Sequence, residues 1–166
     1  MPGFINVFSQ KGEKTTFSIY LSAPEKKVIK EKRSDTEMSE GKETVLLVDD
    51  EEMILDVGQE ILKTLGYKVI LAKSGKEAIE LVSKAQGTVP SVPDLVILDM
   101  IMPDMEGGKV YDKLKEANPD IKVLLLSGYS IKGRASEIME RGCNGFIRKP
   151  FKINDLSQKI REILDK

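Results

Sequence analysis

The chain has 166 residues, 40% hydrophobic and 32% charged, which indicates one globular domain of ordinary size with an extension. Its 26 basic residues are balanced by 27 acidic ones, so we expect no overall basic field for binding nucleic acid. No apolar run is long enough to span a membrane, and the first residues lack the pattern of a signal peptide. The chain has no histidine, which excludes Ser-His-Asp triads, imidazole zinc sites and a phosphohistidine of its own.

The first 42 residues divide into a strand-rich head and a charged segment. The letters FINVFS at 4–9 and TTFSIYLSAP at 15–24 predict two strands around a glycine turn. The segment that follows is dominated by charged residues and predicts a solvated linker. The sequence therefore predicts a head at 1–24, a linker at 25–42 and a body at 43–166.

The body alternates two hydrophobic periods. Short runs rich in Val, Ile and Leu predict buried strands at 45–48, 68–72, 95–98, 122–126 and 145–147. Between and after these runs, apolar residues recur at helical spacing, and Gly66 and Gly142 mark two helix ends. Strand followed by helix, five times over, predicts an α/β fold with right-handed crossovers and a parallel sheet covered on both faces.

Polar residues follow four of the five predicted strands. They are Asp49 and Asp50 after the first strand, Asp99 after the third, Ser127 after the fourth and Lys149 after the fifth. Each of them alone has an ordinary explanation as a turn former, a helix cap or a solvated charge. Because ligands of parallel sheets bind beyond the carboxyl ends of the strands, the set together predicts one shared crevice.

The chemistry of this crevice favours a phosphoryl group bound together with a divalent cation. Carboxylates without histidine or cysteine ligands suit Mg²⁺. Lys149 would supply a fixed positive charge and Ser127 a hydrogen-bond donor, which would neutralise the charge of a phosphoryl group. Asp99 is the expected nucleophile, because carboxylates can form aspartyl phosphates.

The body resembles the receiver domain of bacterial response regulators over essentially all of residues 43–166. The motifs that carry the resemblance are Asp49-Asp50, Asp99 with Met102-Pro103 and Gly107, Ser127-Gly128, and Phe146 with Lys149-Pro150-Phe151. The resemblance implies a flavodoxin-like (βα)5 fold, doubly wound, with strand order 2-1-3-4-5. It also implies that the domain promotes its own phosphorylation and dephosphorylation.

The resemblance further implies a role for each site residue. Asp99 is the implied phosphoacceptor, with Lys149 and Ser127 beside it. The implied Mg²⁺ ligands are Asp50, Asp99 and the backbone carbonyl of Ile101, while Asp49 acts mainly through water. The Lys149–Pro150 bond is implied to be cis, and Ser127 and Phe146 are the implied switch residues, with the aromatic ring reorienting on activation.

The head, at residues 3–25, resembles the last β-hairpin of a histidine-kinase ATPase domain. The alternative is an arbitrary two-stranded extension. Together with the linker, the resemblance predicts the C-terminal part of a hybrid sensor histidine kinase. The head lacks the nucleotide-binding boxes of that family, so we expect neither ATP binding nor a kinase site in this chain. Open hairpin edges can pair with another chain, which makes a homo-oligomer through the hairpin an expectation.

Three functions remain to be weighed for the body. The first is a two-component phosphorelay receiver that takes a phosphoryl group from the phosphohistidine of a histidine kinase or a phosphotransfer protein and switches protein contacts. The second is a Mg²⁺-dependent aspartyl-nucleophile phosphatase of the haloacid dehalogenase type, which would require a second Asp where Ile101 stands. The third is a degenerate receiver that only binds. No membrane or nucleic-acid contact is expected, and the single Cys143 fits a cytoplasmic domain even where the parent kinase is membrane-bound.

Overall fold

A computed structural model describes residues 4–21, 41–84, 92–128 and 132–166, the side chains of 132–135 excepted. The chain divides into two compact units, of which the first contains a β-hairpin and the second a five-stranded sheet. Within the described ranges, no helix is both long and apolar enough to cross a membrane. Apart from Gly41 and Lys42, the predicted charged linker lies outside the described residues.

The first unit is a two-stranded antiparallel hairpin. Strand β1, Phe4–Gln10, pairs with β2, Lys14–Tyr20, and the turn contains Gly12 with a φ of 84°. A positive φ of this size is easily reached by glycine and disfavoured for residues with a Cβ, so this glycine sets the turn. The hairpin confirms the two strands predicted from the sequence of the head.

The two faces of the hairpin differ in polarity. Directly opposed residues share a face, which places Ile5, Val7, Phe17 and Ile19 together on one side. All four side chains are exposed, by 58% to 65%. The other face carries a stacked aromatic pair, Phe4 and Tyr20, with ring centroids 4.4 Å apart. The hairpin therefore presents an apolar face without a core of its own.

The second unit contains five strands and five helices in alternation. The strands are β3 (Thr44–Val48), β4 (Lys68–Ala72), β5 (Leu95–Asp99), β6 (Lys122–Ser127) and β7 (Gly145–Arg148). The helices are α1 (Glu52–Thr64), α2 (Gly75–Lys84), α3 (Gly107–Ala117), α4 (Lys132–Glu140) and α5 (Ile153–Leu164). All neighbouring strands are parallel, in the order β4-β3-β5-β6-β7. This order is 2-1-3-4-5 when the strands of the body are counted alone, and it confirms the predicted fold.

Two separate apolar clusters explain why the central strands are continuous hydrophobic runs. Leu46 and Val48 of β3 point into a cluster with α2 and α3, whereas Val45 and Leu47 point into a second cluster with α1 and α5. All four residues are buried. Burying one such side chain contributes about 1.5–3 kcal/mol. Because successive side chains point to opposite faces, each central strand has two buried faces. A polar side chain at such a position would lose its hydrogen bonds to water, which explains the continuous apolar runs.

Two glycines let helices lie close to the strands. A Cβ at Gly58 of α1 would lie 2.6 Å from Cδ2 of Leu47, a flexible side chain. A Cβ at Gly107 would lie 2.8 Å from the Cα of Met100, which is backbone and cannot swing aside. Gly107 therefore holds the start of α3 directly against the end of β5, and this contact positions the loop that carries part of the site.

The residues next to the predicted boundary at 43 contact the body. Gly41 is buried, its N–H donates to the carbonyl of Leu65 at 2.9 Å, and a Cβ there would overlap the ring of Tyr67. Glu43 then accepts a hydrogen bond from Arg161 of α5 at 2.8 Å. The last residues of the predicted linker are thus already packed on the body.

Candidate functional site

The structure places the polar residues that follow the strands along one edge of the sheet. Asp99 and Ser127 are the last residues of β5 and β6, while Asp49 and Lys149 come directly after β3 and β7. These four strands are consecutive neighbours in the sheet. Since all of them run parallel, their carboxyl ends meet at the same edge. The sheet topology itself therefore brings residues that are far apart in sequence to one place.

Lys149 joins two of the carboxylates directly. Its Nζ lies 2.7 Å from Oδ1 of Asp99 and 3.1 Å from Oδ2 of Asp49. Burial alone lowers the pKa of Lys149, but the hydrogen bonds and negative charges of Asp99 and Asp49 outweigh burial and raise it. The ammonium group therefore remains charged at neutral pH, and it relieves the repulsion between the two aspartates.

Asp99 is held through both of its carboxylate oxygens. Oδ1 accepts from Lys149, and Oδ2 accepts a hydrogen bond from the backbone N–H of Ile101 at 2.8 Å. Asp99 is 7% exposed, so it lies at the floor of the crevice with a small open surface. The carboxylate is fixed in orientation by a cation and a backbone donor, and each oxygen still has a lone pair that these bonds leave available.

Asp49 and Asp50 are adjacent in sequence but lie in opposite environments. Asp49 is 1% exposed, and its two oxygens accept from the N–H of Glu51 at 3.0 Å and from Lys149. Asp50 is exposed, and within the described part of the chain its carboxylate takes part in no hydrogen bond or ion pair. Both carboxylate oxygens of Asp49 thus accept hydrogen bonds from the protein, whereas the carboxylate of Asp50 is available to a ligand.

The oxygen atoms at this edge of the sheet suit a hard cation. Among the described residues, no three acidic, histidine or cysteine side chains cluster closely enough to form a metal site by themselves. A site with one or two carboxylates, a backbone carbonyl and several waters needs no such cluster, and Mg²⁺ prefers that kind of site. The hard oxygen atoms of Asp50 and Asp99 fit this requirement.

The remaining predicted residues lie around this core of charges. The side chain of Ile101 is exposed, while Ser127 is buried and its carbonyl accepts from the N–H of Lys149 at 2.8 Å. Phe146 is 48% exposed on β7, where it pairs with Leu125, two positions before Ser127 on β6. The Lys149–Pro150 bond is cis, as the resemblance implies. Sequence reasoning missed the N–H of Glu51, because a backbone donor leaves no signal in the sequence.

Comparison with known proteins gives a family match over most of the body. The model of the response regulator receiver domain matches residues 45–161. A protein named Sensor kinase CckA, from Brucella abortus, is 35% identical over 178 residues, which cover 99% of this chain but 18% of that protein. Sporulation initiation phosphotransferase F, from Bacillus subtilis, is 30% identical over 122 residues, covering 74% of this chain and 94% of that protein.

Solved structures show the same fold. A response regulator receiver domain protein from Clostridium thermocellum has a TM-score of 0.69 and 28% identity, covering 74% of this chain and 94% of that one. A CheY-like receiver protein from Methanospirillum hungatei JF-1 has a TM-score of 0.67 and 30% identity, covering 75% of this chain and 95% of that one. Some curated relatives are much longer than the matched region: this chain spans 46% of the probable transcriptional regulator ycf27 of Guillardia theta.

The family match accounts for the motifs at the strand ends, and these relatives give no support to the hydrolase alternative. Receiver domains are the phosphoacceptor modules of two-component systems. They generally bind Mg²⁺ at the acidic phosphorylation site, and they interact with histidine kinases or phosphotransfer proteins. The sheet order, the charges at its carboxyl edge and the matched residues agree that this chain belongs to the response regulator receiver domain family.

Proposed function

We propose that Asp99 is the phosphoacceptor, and that it takes the phosphoryl group from a phosphohistidine of a partner protein. A carboxylate oxygen of Asp99 forms the new bond to phosphorus while the bond between phosphorus and the imidazole nitrogen breaks, and the imidazole leaves with the electron pair. The observation that carries this proposal is the contact of Lys149 with Asp99 at 2.7 Å at the end of the central strand β5. A fixed ammonium at this point stabilises the charge that builds up on the phosphoryl oxygens.

A bound Mg²⁺ would supply a second positive charge on the phosphoryl oxygens. Asp50, Asp99 and the backbone carbonyl of Ile101 are the ligands we propose, and the exposed, unengaged carboxylate of Asp50 supports this set. Asp49 faces Lys149 and would act on the ion through water. Because few protein groups replace the waters of the ion, binding without phosphate is expected to be weak.

Ser127 and Phe146 are the residues we propose for the switch. The hydroxyl of Ser127, at the end of β6 beside Asp99, would donate to a phosphate oxygen once Asp99 is modified. The half-exposed Phe146, on the neighbouring strand, would then turn inward and change the surface read by a partner. Phosphate shifts this equilibrium only as far as it binds one state more tightly than the other.

We further propose that the chain is the C-terminal part of a hybrid sensor histidine kinase. The domains are then a kinase hairpin at 1–24, a linker at 25–42 and the receiver at 43–166. The similarity to Sensor kinase CckA supports this, since it extends over 99% of this chain and so includes the hairpin. The apolar hairpin face would pack on preceding structure of the parent or on a second copy of the chain. The free, buried thiol of Cys143 is in keeping with a cytoplasmic location.

Phosphorylation by a small-molecule phosphodonor tests the proposed acceptor. With Mg²⁺, the wild type should gain the mass of one phosphoryl group, mapped to Asp99, and Asp99→Asn should gain none. Asp120→Asn is the matched control, because it removes the same charge from an exposed residue at the opposite edge of the sheet. Modification that persists in Asp99→Asn, or a wild type that takes no phosphate, would refute the proposal.

A further inference from the structure

The loop between β5 and α3, residues 100–106, carries the Ile101 carbonyl that we propose as a metal ligand. The base of the loop is well fixed. The N–H of Met100 donates to the carbonyl of Leu126 at 3.0 Å, and the N–H of Gly107 donates back to the carbonyl of Met100 at 3.3 Å. Met102 is 7% exposed and belongs to the core cluster on that side of the sheet. These contacts hold the two ends of the loop and one side chain, but not its tip.

The tip of the loop is tied to a different element, the start of helix α2. Oδ2 of Asp104 accepts a hydrogen bond from the backbone N–H of Lys76 at 3.3 Å. Lys76 is the second residue of a helix of 10 residues, so its N–H has no partner within the helix. A carboxylate at this end also interacts favourably with the helix dipole. Asp104 thus caps a helix through a donor, Lys76, that lies 28 residues earlier in the chain.

The start of α2 is a firm support for this bond. Ser74 Oγ accepts from the N–H of Glu77 at 3.1 Å, and the Glu77 carboxylate accepts from the N–H of Lys73 at 2.7 Å. The first bond satisfies a donor of the first turn and the second ties the residue before Ser74 to the helix, an arrangement related to a capping box. The N–H of Lys76 is left for an acceptor from outside the helix, and Asp104 supplies it.

Gly75 explains how the loop comes so close to the helix. A Cβ at Gly75 would lie 2.4 Å from Cγ2 of Val110 in α3 and 3.4 Å from Cβ of Met105 in the loop. The first position of α2 therefore packs against both the loop and the helix that follows it. Ile101 is followed along the loop by two anchors, the buried Met102 directly after it and the bond between Asp104 and α2 three residues after it.

We propose that Asp104 is a positioning residue for metal binding, which holds the β5–α3 loop so that the Ile101 carbonyl remains directed at the ion. This inference rests on the proposed function of the acidic edge. Without the tip anchor, the loop would occupy the binding-competent arrangement for a smaller part of the time. Apparent affinity falls in proportion to that fraction, so we expect Mg²⁺ to bind about three- to tenfold more weakly. Because Asp104 and Lys76 are exposed, the fold itself should hardly be affected.

Titration of the unphosphorylated full chain with Mg²⁺ alone, followed by the NMR signal of the Ile101 amide, tests this inference. Asp104→Ala should weaken binding by the stated factor and change the signal of Ile101 even before Mg²⁺ is added. Asp104→Asn keeps an oxygen that can accept from Lys76 and should bind nearly as the wild type does. Asp120→Ala, at the other edge of the sheet, is the control for lost charge. In phosphorylation assays, Asp104→Ala should need more Mg²⁺ yet reach the wild-type rate at saturation.

The possible results separate the inference from the proposed function. Equal Mg²⁺ affinity in Asp104→Ala and the wild type would overturn the inference, and so would equal weakening in Asp104→Asn and Asp104→Ala, which would assign the effect to charge alone. If Asp104→Ala lowers the melting temperature markedly, Lys76→Pro removes the donor instead, because the first turn of a helix tolerates proline. Wild-type affinity in Lys76→Pro would again overturn the inference. A wild type that binds no Mg²⁺ and takes no phosphate would refute the proposed function itself.

Discussion

The hairpin and the body are both built from strand-forming apolar residues, but only the body buries them. Ile97 in β5 is 1% exposed, whereas Ile19 in β2 is 63% exposed. The strands of the body are apolar on successive residues and are covered on both faces. The hairpin alternates, so that one of its faces is apolar, and the side chains of that face are exposed among the described residues. The hydrophobic pattern of a strand therefore indicates whether one or both of its faces are buried in the native protein. It does not identify the element that packs on each face.

A matched pair of truncations should show the largest difference between the two units. Ile97→Ala empties a buried position and should lower the free energy of unfolding of the body by about 2–5 kcal/mol. Ile19→Ala removes the same atoms from an exposed position and should change it by less than about 0.5 kcal/mol. Urea denaturation followed by circular dichroism measures both. Similar losses in the two variants would show that Ile19 is buried in solution.

A matched pair of glycine substitutions should have a smaller effect. Gly12 and Gly142 have φ values of 84° and 93°, and neither has a heavy atom within 4 Å of an added Cβ. The cost of alanine is therefore backbone strain, about 1 kcal/mol. Gly142→Ala should lower the unfolding free energy of the body by that amount, and Gly12→Ala should leave it unchanged. A loss of body stability in Gly12→Ala would mean that the two units unfold together.

The two units should also differ in how their lysines affect the pH dependence of stability. The pKa of Lys149 is raised in the folded state, so its stabilising effect is complete below its ordinary value of 10.5 and is lost as the pH rises through the folded pKa. The stability advantage of the wild type over Lys149→Met should therefore shrink above pH 10.5. Burial also raises the pKa of Cys143, but the thiol is present in both proteins, so its contribution cancels in the difference between their stabilities.

Lys14→Met is the matched change for this experiment, since Lys14 is an exposed residue of the hairpin. It should follow the wild type across the whole alkaline range when unfolding is measured at a series of pH values. If the difference between the wild type and Lys149→Met stayed constant through this range, the ammonium would not be coupled to the two aspartates.

Removal of the hairpin should have the smallest effect on the body. Among the described residues, both apolar clusters of the body are formed by residues of the body, so deletion of residues 1–24 should leave the melting temperature and the proposed phosphorylation of Asp99 nearly unchanged. Calorimetry and mass spectrometry measure the two quantities. Unfolding of the truncated chain would show that the head belongs to the receiver core, and that the proposed boundary is wrong.

The sequence predicted the fold well, because continuous apolar runs and helical spacing are strong signals of strands and helices. It also predicted which residues stand at the strand ends. It could not predict that Asp49 turns inward to Lys149 while Asp50 remains exposed, since both are aspartates in the same turn. The pairs Asp104–Lys76 and Glu43–Arg161 were likewise missed. Polar contacts between distant surface residues depend on geometry, and they leave no periodic pattern.

The bonds of Lys149 have a consequence for the synthesis of the chain. Its two partners, Asp99 and Asp49, precede it by 50 and 100 residues. At ribosomal rates, Lys149 is therefore synthesised roughly 3–10 s after Asp99. A sheet that formed during that interval would hold two aspartates at one edge without the ammonium that relieves their repulsion. Pairing of the edge strand β7 both completes the sheet and brings Lys149 to the aspartates, so a chain interrupted before Lys149 would lack the cation beside the proposed acceptor.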